Sequence, residues 1–343
     1  MAVLSAPAHA SNISEITADQ YVMRCLPDLA TLIASDPIAY GFTATDLTTA
    51  YVSSAFTIDG SEDGIFYYAI MSNNRALGIL SVVCKNGKCS MSYAIDFADV
   101  LTQGLTGNQG FSLEWTGETT PKIKTMGTVF SRVAVSSTNV RSSLDTMLSP
   151  LNVATVVASE NDFNWRGELN GTLPLIDQEY GQYEDGKLGY ACSVACAKSM
   201  AQYFVSSLSE KTLREVIMEV YGLQYIHTST FDGYQRAPEV FTRYTNNSFI
   251  RFAYGFDLDT LKNQIDADNP IMCIAVNPNS PSAYHCTVIK GYTYGSTSFS
   301  YMIKMMDPYT PSWRTVFWDG TGDLTYEFNG VDLIWGKSIV LYS

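Results

Sequence analysis

The sequence predicts an α+β fold built from two successive blocks of helices and antiparallel strands. In the first block, a helical pattern opens the chain and a series of strand-like runs follows it. In the second block, several helical segments precede a series of strand-like runs that extends to the C-terminus. Helices and strands that are segregated along the chain in this way are typical of α+β domains with antiparallel sheets.

The chain divides into four segments. Residues 1–13 are expected to be disordered or to be the remnant of a signal peptide, because Ala8-His9-Ala10 has the small-x-small form of a signal-peptidase site. Residues 14–135 form the first block. Residues 136–172 are rich in Ser, Asn and Thr and are interpreted as a connector, and residues 173–343 form the second block.

The first block is predicted to be a helix followed by a small antiparallel sheet. Thr17-Ala-Asp-Gln20 resembles a capping box, so the helix is expected to begin there and to be kinked or interrupted at Pro27. A short second helix is predicted over residues 96–105. The block contains no histidine and no phosphate-binding loop, so it does not look catalytic. The predicted strands are residues 50–58, 66–71, 76–84 and 89–95.

One hairpin of this block is predicted to carry a disulfide. Asn86-Gly87 suits a two-residue turn that needs positive φ, and Lys85 and Lys88 would close it. Cys84 and Cys89 then form the next cross-strand pair, whose Cα atoms are expected ~4.5–5.5 Å apart and within disulfide reach. The bridge is expected if the protein is exported.

The second block is predicted to begin with helices and to end with strands. Apolar residues recur on one face of Cys192–Phe204, which predicts a helix that is buried along that side. A second helix is expected between a cap at Ser209 and a stop at Gly222, and a third over residues 259–267. A weaker helical stretch lies in the connector at residues 144–151. The predicted strands are residues 271–276, 285–292, 299–305, 315–318 and 338–342.

Composition and charge exclude several classes of partner. The 343 residues carry a formal net charge of −13, which argues against a nucleic-acid partner because phosphate binding needs clustered Lys and Arg. There is no run of about 18 or more apolar residues, so no membrane-spanning helix is expected. The apolar fraction of 46% favours packed globular structure.

Cys192 is the candidate nucleophile. It follows a non-helical segment and begins a helix, whose positive N-terminal end favours a thiolate. Cys25, Cys196, Cys273 and Cys286 are interpreted as small core residues. No cofactor or metal is expected, because the pair at positions 192 and 196 has no second cluster that could complete four zinc ligands.

The partner of this thiol is sought among three histidines. His9 lies in the suspected signal remnant, and His227 lies among Thr and Ser, where a loop role is favoured. His285 begins a predicted strand, and Asp307 ends the next one, where its carboxylate would hold the imidazole tautomer. Cys286 is expected to point to the opposite face of the strand from its neighbour His285.

Four motifs of the second block, taken together, resemble those of papain-fold cysteine peptidases. In chain order they are Leu173-Pro-Leu-Ile-Asp-Gln178 with Tyr190-Ala-Cys192 and Tyr203-Phe204, then Asn269-Pro-Ile-Met-Cys-Ile-Ala-Val276, His285-Cys-Thr-Val-Ile-Lys-Gly-Tyr292 and Met306-Asp307-Pro308. The nearest groups are the bacteriocin-leader-processing peptidases and the secreted streptopain-like and staphopain-like zymogens. The resemblance covers residues 173–343 and implies a papain-like domain of helices packed on an antiparallel sheet.

The catalytic residues that the resemblance implies are Cys192, His285, Asp307 and Gln178. In these families a glutamine donates to the oxyanion beside the N–H of the nucleophile. Gln178 lies 14 residues before Cys192, which is longer than usual, so Gln182 stays open as an alternative donor. The chain also departs from many relatives by having Ser193-Val194 in place of Gly-Pro, and it has Asp307 where some relatives have asparagine.

The expected function is that of a cysteine-type endopeptidase that hydrolyses a peptide or protein substrate through a thioester on Cys192. The first block resembles, more faintly, the propeptides of the zymogens named above. The resemblance therefore implies a secreted bacterial zymogen with its own N-terminal domain as inhibitor. Two alternatives stay open: a transglutaminase-like acyltransferase, which also runs Cys, His and Asp in order, and a catalytically inactive binding protein on the same scaffold.

Overall fold

The structure, a computed structural model, describes residues 11–85, 87–107, 109–116, 120–125, 139–154, 167–182, 188–222, 234–246, 250–294, 301–318 and 323–341. The helices among these residues are α1 (Ser11–Ser35), α2 (Asp46–Thr49), α3 (Ala98–Thr106), α4 (Val140–Leu144), α5 (Cys192–Phe204), α6 (Leu213–Tyr221), α7 (Ala237–Thr245) and α8 (Leu258–Asp266). The strands are β1 (Tyr51–Ser53), β2 (Ile65–Ser72), β3 (Arg75–Lys85), β4 (Lys88–Ala94), β5 (Phe111–Glu114), β6 (Lys122–Thr125), β7 (Met147–Pro150), β8 (Gly167–Glu168), β9 (Glu179–Gln182), β10 (Leu188–Tyr190), β11 (Ile250–Tyr254), β12 (Ile271–Asn277), β13 (Ser280–Tyr294), β14 (Tyr301–Asp307), β15 (Ser312–Trp318), β16 (Thr325–Phe328) and β17 (Val331–Leu341).

Both blocks share one large antiparallel sheet. Its strand order is β11-β17-β12-β13-β14-β15-β4-β3-β2-β1-β7, with β16 paired to β17 and β8 paired to β13. The two halves meet where β15 pairs with β4, in the register Thr315↔Tyr93, Val316↔Ser92 and Phe317↔Met91. The fold is therefore α+β as expected, but the strands predicted for the first block belong to the same sheet as those of the second block. The separate sheet of the first block consists of β5 and β6.

Strand β2 is buried along its whole length because each face of the first-block sheet is covered. Side chains such as Tyr68 and Ile70 pack into a core that includes residues of α1. Their neighbours, such as Tyr67 and Ala69, face a second core with residues of α3 and β5. This double burial explains why the strand pattern of the sequence is a continuous apolar run and not a strict alternation.

The second block has a core of its own beneath helix α5. Residues 193–201 of this helix are buried, and the helix packs on β13 and on α7. This core also takes in apolar side chains of strands β12, β13 and β14. The helix predicted from the apolar face of Cys192–Phe204 is thus confirmed with the same bounds.

Helix α1 begins earlier than predicted. It is already helical at Ser11, so Thr17 lies inside the helix and does not cap it, and the last residues of the predicted signal remnant belong to its first turn. Residues 1–10 lie outside the described residues. Pro27 is accommodated within α1. The predicted cap at Ser209 is also wrong, because Thr212 forms a complete capping box with Glu215.

Part of the connector forms helices and strands. The predicted helix at residues 144–151 is wrong, since α4 ends at Leu144 and residues 147–150 form the edge strand β7, which pairs with β1. At its other end, β8 pairs with β13. Residues 155–166 lie outside the described residues, and the segment boundaries stay a prediction.

The hairpin disulfide is confirmed. Cys84 and Cys89 are bonded, with their Cα atoms 4.2 Å apart, and they face each other in the register of β3 and β4. Gly87 has φ +74°, which is the left-handed conformation that the turn requires. Among the described residues, no helix combines the length and apolar character needed to cross a membrane.

Candidate active site

Cys192 is the first residue of α5. The preceding Ala191 has φ −143° and ψ 65°, so the chain enters the helix from a non-helical conformation without a side-chain cap. The free N–H groups of the first turn and the positive end of the helix dipole therefore face the start of the helix, where they stabilise negative charge. Cys192 itself is partly exposed, in contrast to the buried residues that follow it.

His285 and Asp307 are brought together by neighbouring strands. His285 lies on β13 and Asp307 ends β14, and these strands pair in antiparallel register. The His285 Nε2 lies 2.7 Å from the Asp307 Oδ1, and both side chains are buried. The ring plane of His285 is held by Phe328, which stacks on it with a centroid distance of 3.9 Å and an interplanar angle of 12°.

The imidazole of His285 also reaches the candidate nucleophile. The two side chains interact, and Nδ1 is the ring nitrogen that remains for Cys192 because Nε2 is bound to Asp307. Burial alone would lower the pKa of His285, but the Asp307 carboxylate and the Cys192 sulfur outweigh it and raise the pKa to about 9. The ring is therefore favoured in its protonated form at neutral pH.

The pKa of the Cys192 thiol is held well below its usual range. The largest cause is a hydrogen bond from the Cys286 thiol, which outweighs the opposing effect of burial. The hydrogen bond and the positive charge of His285 lower the pKa further, and the backbone N–H of Cys286 adds to them. The arrangement favours a thiolate–imidazolium pair, the form that makes a cysteine nucleophilic.

Cys286, the neighbour of His285 on β13, is buried in the core beneath α5. That it points to the opposite face of the strand from His285 stays a prediction from the alternation of side chains. Its thiol interacts with the sulfur of Cys192 at the start of α5, which packs on β13. Burial raises the pKa of Cys286, Cys196 and Cys273, which keeps these thiols protonated beside the candidate nucleophile.

Gln178 connects the two segments that carry the candidate residues. Its backbone N–H donates to the carbonyl of Pro308 at 2.8 Å, and its carbonyl accepts from the N–H of Ala191 at 2.9 Å. Its side chain is buried, in keeping with a place between the segments that hold Asp307 and Cys192. The side chain of Gln182, the competing oxyanion donor, lies outside the described residues, as do His9 and His227.

Arg314 is a site residue that the sequence analysis missed. Its Nε donates to the Asp307 Oδ2 at 2.9 Å, while the N–H of Tyr309 donates to Oδ1 at 3.0 Å. Burial would raise the pKa of Asp307, but His285 and Arg314 hold it well below its usual range. The sequence predicts a strand that begins at Thr315, whereas β15 begins at Ser312 and includes Arg314, whose side chain is buried beside Asp307.

A small cavity opens beside the aromatic residues that flank His285. Its volume is about 280 Å³ including its opening to solvent. Both blocks line it, the first block with Asp96, Phe97 and Trp115, and the second with Tyr309, Thr310, Arg314, Glu327, Phe328 and Asn329. Among the described residues, no group of three or more His, Cys, Asp or Glu side chains is placed to hold a metal ion.

The second block is similar to a known family of peptidases. Residues 172–328 match the family model described as the Peptidase_C39 like family. A search of curated proteins gave no match. The match spans the segment that contains Gln178, Cys192, His285 and Asp307, and it supports the activity of a cysteine peptidase, a hydrolase of peptide bonds, for this chain.

Proposed function

We propose that this protein is a papain-like cysteine endopeptidase in which Cys192 is the nucleophile and His285 is the general base and acid. The observation that carries the proposal is the placement of His285, which interacts with Cys192 at the start of a buried helix and is hydrogen-bonded through Nε2 to Asp307 at 2.7 Å. A depressed thiol pKa, a base within hydrogen-bond reach and a group that orients the base are the three supports that nucleophilic catalysis by cysteine needs.

The proposed reaction proceeds through a thioester. The Cys192 thiolate attacks the scissile carbonyl carbon, and the resulting oxyanion is held by the N–H of Cys192 and by the amide of Gln178. His285 then gives its Nδ1 proton to the leaving amine. In the second half, His285 removes a proton from a water molecule that attacks the thioester, and Cys192 is released. Asp307 keeps the imidazole in one orientation throughout.

We expect a thiol-reactive epoxide to label Cys192 rapidly and selectively at neutral pH, because Cys192 has a lowered pKa, whereas Cys196 on the same helix is buried with a raised pKa. Mass-spectrometric mapping of the labelled protein measures this. Rapid labelling at Cys196 would contradict the assignment, and a rate equal to that of an ordinary exposed thiol would favour the inactive binding protein. Transfer of the acyl group to added amines faster than hydrolysis would favour a transglutaminase-like reaction.

The second part of the proposal is that the chain is a secreted zymogen whose first block restricts the cleft. Every candidate catalytic residue lies after residue 173, whereas the first block lines the cavity beside Phe328 and Tyr309. Cys192, the candidate nucleophile, is only partly exposed. A block that borders the site in this way can exclude substrate by simple occupancy. The similarity to streptopain-like and staphopain-like zymogens belongs to this proposal as well.

We expect cleavage within the connector to raise the activity. A recognition sequence for a specific protease, placed within residues 155–166 of the full chain, allows kcat/KM on one peptide to be compared before and after cutting. The parent chain treated with the same protease is the control. Size-exclusion chromatography of the cut protein distinguishes release of the first block from a cut complex that stays joined through the paired strands β4 and β15. Equal rates before and after complete cutting would show that the first block is not inhibitory.

A further inference from the structure

Arg314 lies at the point where the two blocks meet. It is the third residue of β15, and its side chain is 2% exposed. Besides its bond to Asp307, its Nη2 donates to the Asp96 Oδ2 at 2.7 Å and its Nη1 donates to the Ser92 Oγ at 3.3 Å. Ser92 belongs to β4 and Asp96 follows that strand, so one guanidinium joins the first block to the candidate catalytic carboxylate.

We propose that Asp96 and Arg314 are positioning residues for Asp307, so that the first block supplies part of the active site of the second. This inference rests on the proposed function, because it deepens the role of the same site. In this role, Asp96 and Arg314 do not contact the reacting atoms. They act on the reaction through the orientation and the charge of Asp307.

The geometry leaves the Asp307 carboxylate little freedom. Oδ1 accepts from His285 and from the N–H of Tyr309, and Oδ2 accepts from the Nε of Arg314. The guanidinium is a rigid planar group, so fixing its other nitrogens on the first block also fixes the direction of Nε. Asp96 is itself held, because the Thr310 hydroxyl donates to its Oδ1 at 2.8 Å.

The charges alternate along this chain of contacts. A thiolate at Cys192 is followed by the imidazolium of His285, the carboxylate of Asp307, the guanidinium of Arg314 and the carboxylate of Asp96. An arginine beside Asp307 without a counter-charge would oppose the positive charge on the imidazole, and Asp96 offsets that effect. The alternation therefore keeps His285 protonated although a buried cation lies beside its carboxylate partner.

Other groups that face this chain come from several elements. Glu327 on β16 interacts electrostatically with Arg314, and the ring of Tyr326 lies 5.8 Å from the guanidinium carbon. Around Cys192, the thiols of Cys286 and Cys196 interact with the sulfur. Glu327 accepts from the N–H of Gly330 at 2.7 Å and from the hydroxyl of Tyr67 in the first block at 3.1 Å. It is thus a second contact with the first block, but the carboxylate that accepts from the guanidinium of Arg314 on the first-block side is Asp96.

The test compares pH profiles of full-length variants. Removing the charge in Asp96→Asn should shift the alkaline limb of kcat/KM to lower pH, by a few tenths of a unit to about one unit, because His285 loses its proton more easily. Arg314→Met should shift the limb in the opposite direction, because a positive charge is lost. Asp96→Glu keeps the charge and should restore the parent limb. In each variant whose alkaline limb shifts, we expect the fall in kcat to be larger than the change in KM.

Asp46→Asn is the matched control, because Asp46 is a buried carboxylate paired with Arg75 at 2.8 Å within the first block. It should leave the limb in place even if stability falls. If Asp96→Asn does not fold, Thr310→Val removes only the hydroxyl that holds Asp96 and should shift the limb in the same direction by less. The inference is wrong if a folded Asp96→Asn or Thr310→Val variant has a pH profile of kcat/KM that superimposes on that of an active parent. An inactive parent that the epoxide does not label overturns the proposed function instead.

Discussion

Replacing Cys192 by alanine is expected to abolish peptidase activity and to leave the fold intact. The reaction as proposed has no other nucleophile, so kcat should fall by a factor on the order of 10⁴ to 10⁶. The fold should tolerate the change because alanine is a good helix former and the lost thiol is small and only partly buried. Peptide hydrolysis and circular dichroism of the same preparation measure the two effects.

Cys196→Ala is the matched control for this prediction. Cys196 lies one helical turn further along α5, is buried, and has a pKa raised by that burial. The variant loses a core thiol of the same size and should keep most of the activity. An inactive Cys196→Ala protein beside an active Cys192→Ala protein would reverse the assignment of the nucleophile.

Replacing Asp307 by alanine is expected to lower turnover by a factor on the order of 10 to 10⁴, because the imidazole of His285 loses the group that holds its tautomer. The structure adds a second consequence. Arg314 would keep Asp96 but lose the carboxylate that Nε contacts, and a buried donor left unsatisfied is expected to cost about 1 to 3 kcal/mol of stability. Activity assays and urea unfolding of the same variant separate the two effects.

Asp307→Asn separates orientation from charge, since an amide still offers an oxygen to accept a hydrogen bond. The charge of Asp307 is a main reason that the pKa of His285 is about 9, against the lowering effect of burial. Without that charge the pKa falls, so activity should be lost at lower pH as the imidazolium deprotonates. Activity of the Asp307→Ala protein within a factor of two of the parent would exclude the proposed role of Asp307.

Local patterns were sufficient to predict the parts of the site that depend on one element. The apolar face of α5 set the position of Cys192 at a helix start, and two strand runs placed His285 and Asp307 on elements that turn out to be neighbours. The strand that became β7 was predicted as a helix, because its edge pairing with β1 and not its own periodicity decides its conformation.

The parts that could not be predicted depend on contacts between distant segments. Arg314 and Asp96 are more than 200 residues apart, and only the pairing of β15 with β4 brings them together. Nothing in either segment alone indicates that partner. The interaction of Cys286 with Cys192 could not be predicted for a related reason, since alternation along β13 says which face a side chain occupies but not where the start of α5 meets the strand.

The pairing of β4 with β15 also has a consequence for the order in which the chain folds. Strands β2, β3 and β4 are joined by short hairpins, so the first block depends on local contacts, which form quickly. During synthesis from the N-terminus, β4 is an edge with unpaired backbone groups until β15 has been made, more than 200 residues later. The completed first block then serves as the template on which the sheet of the second block is assembled.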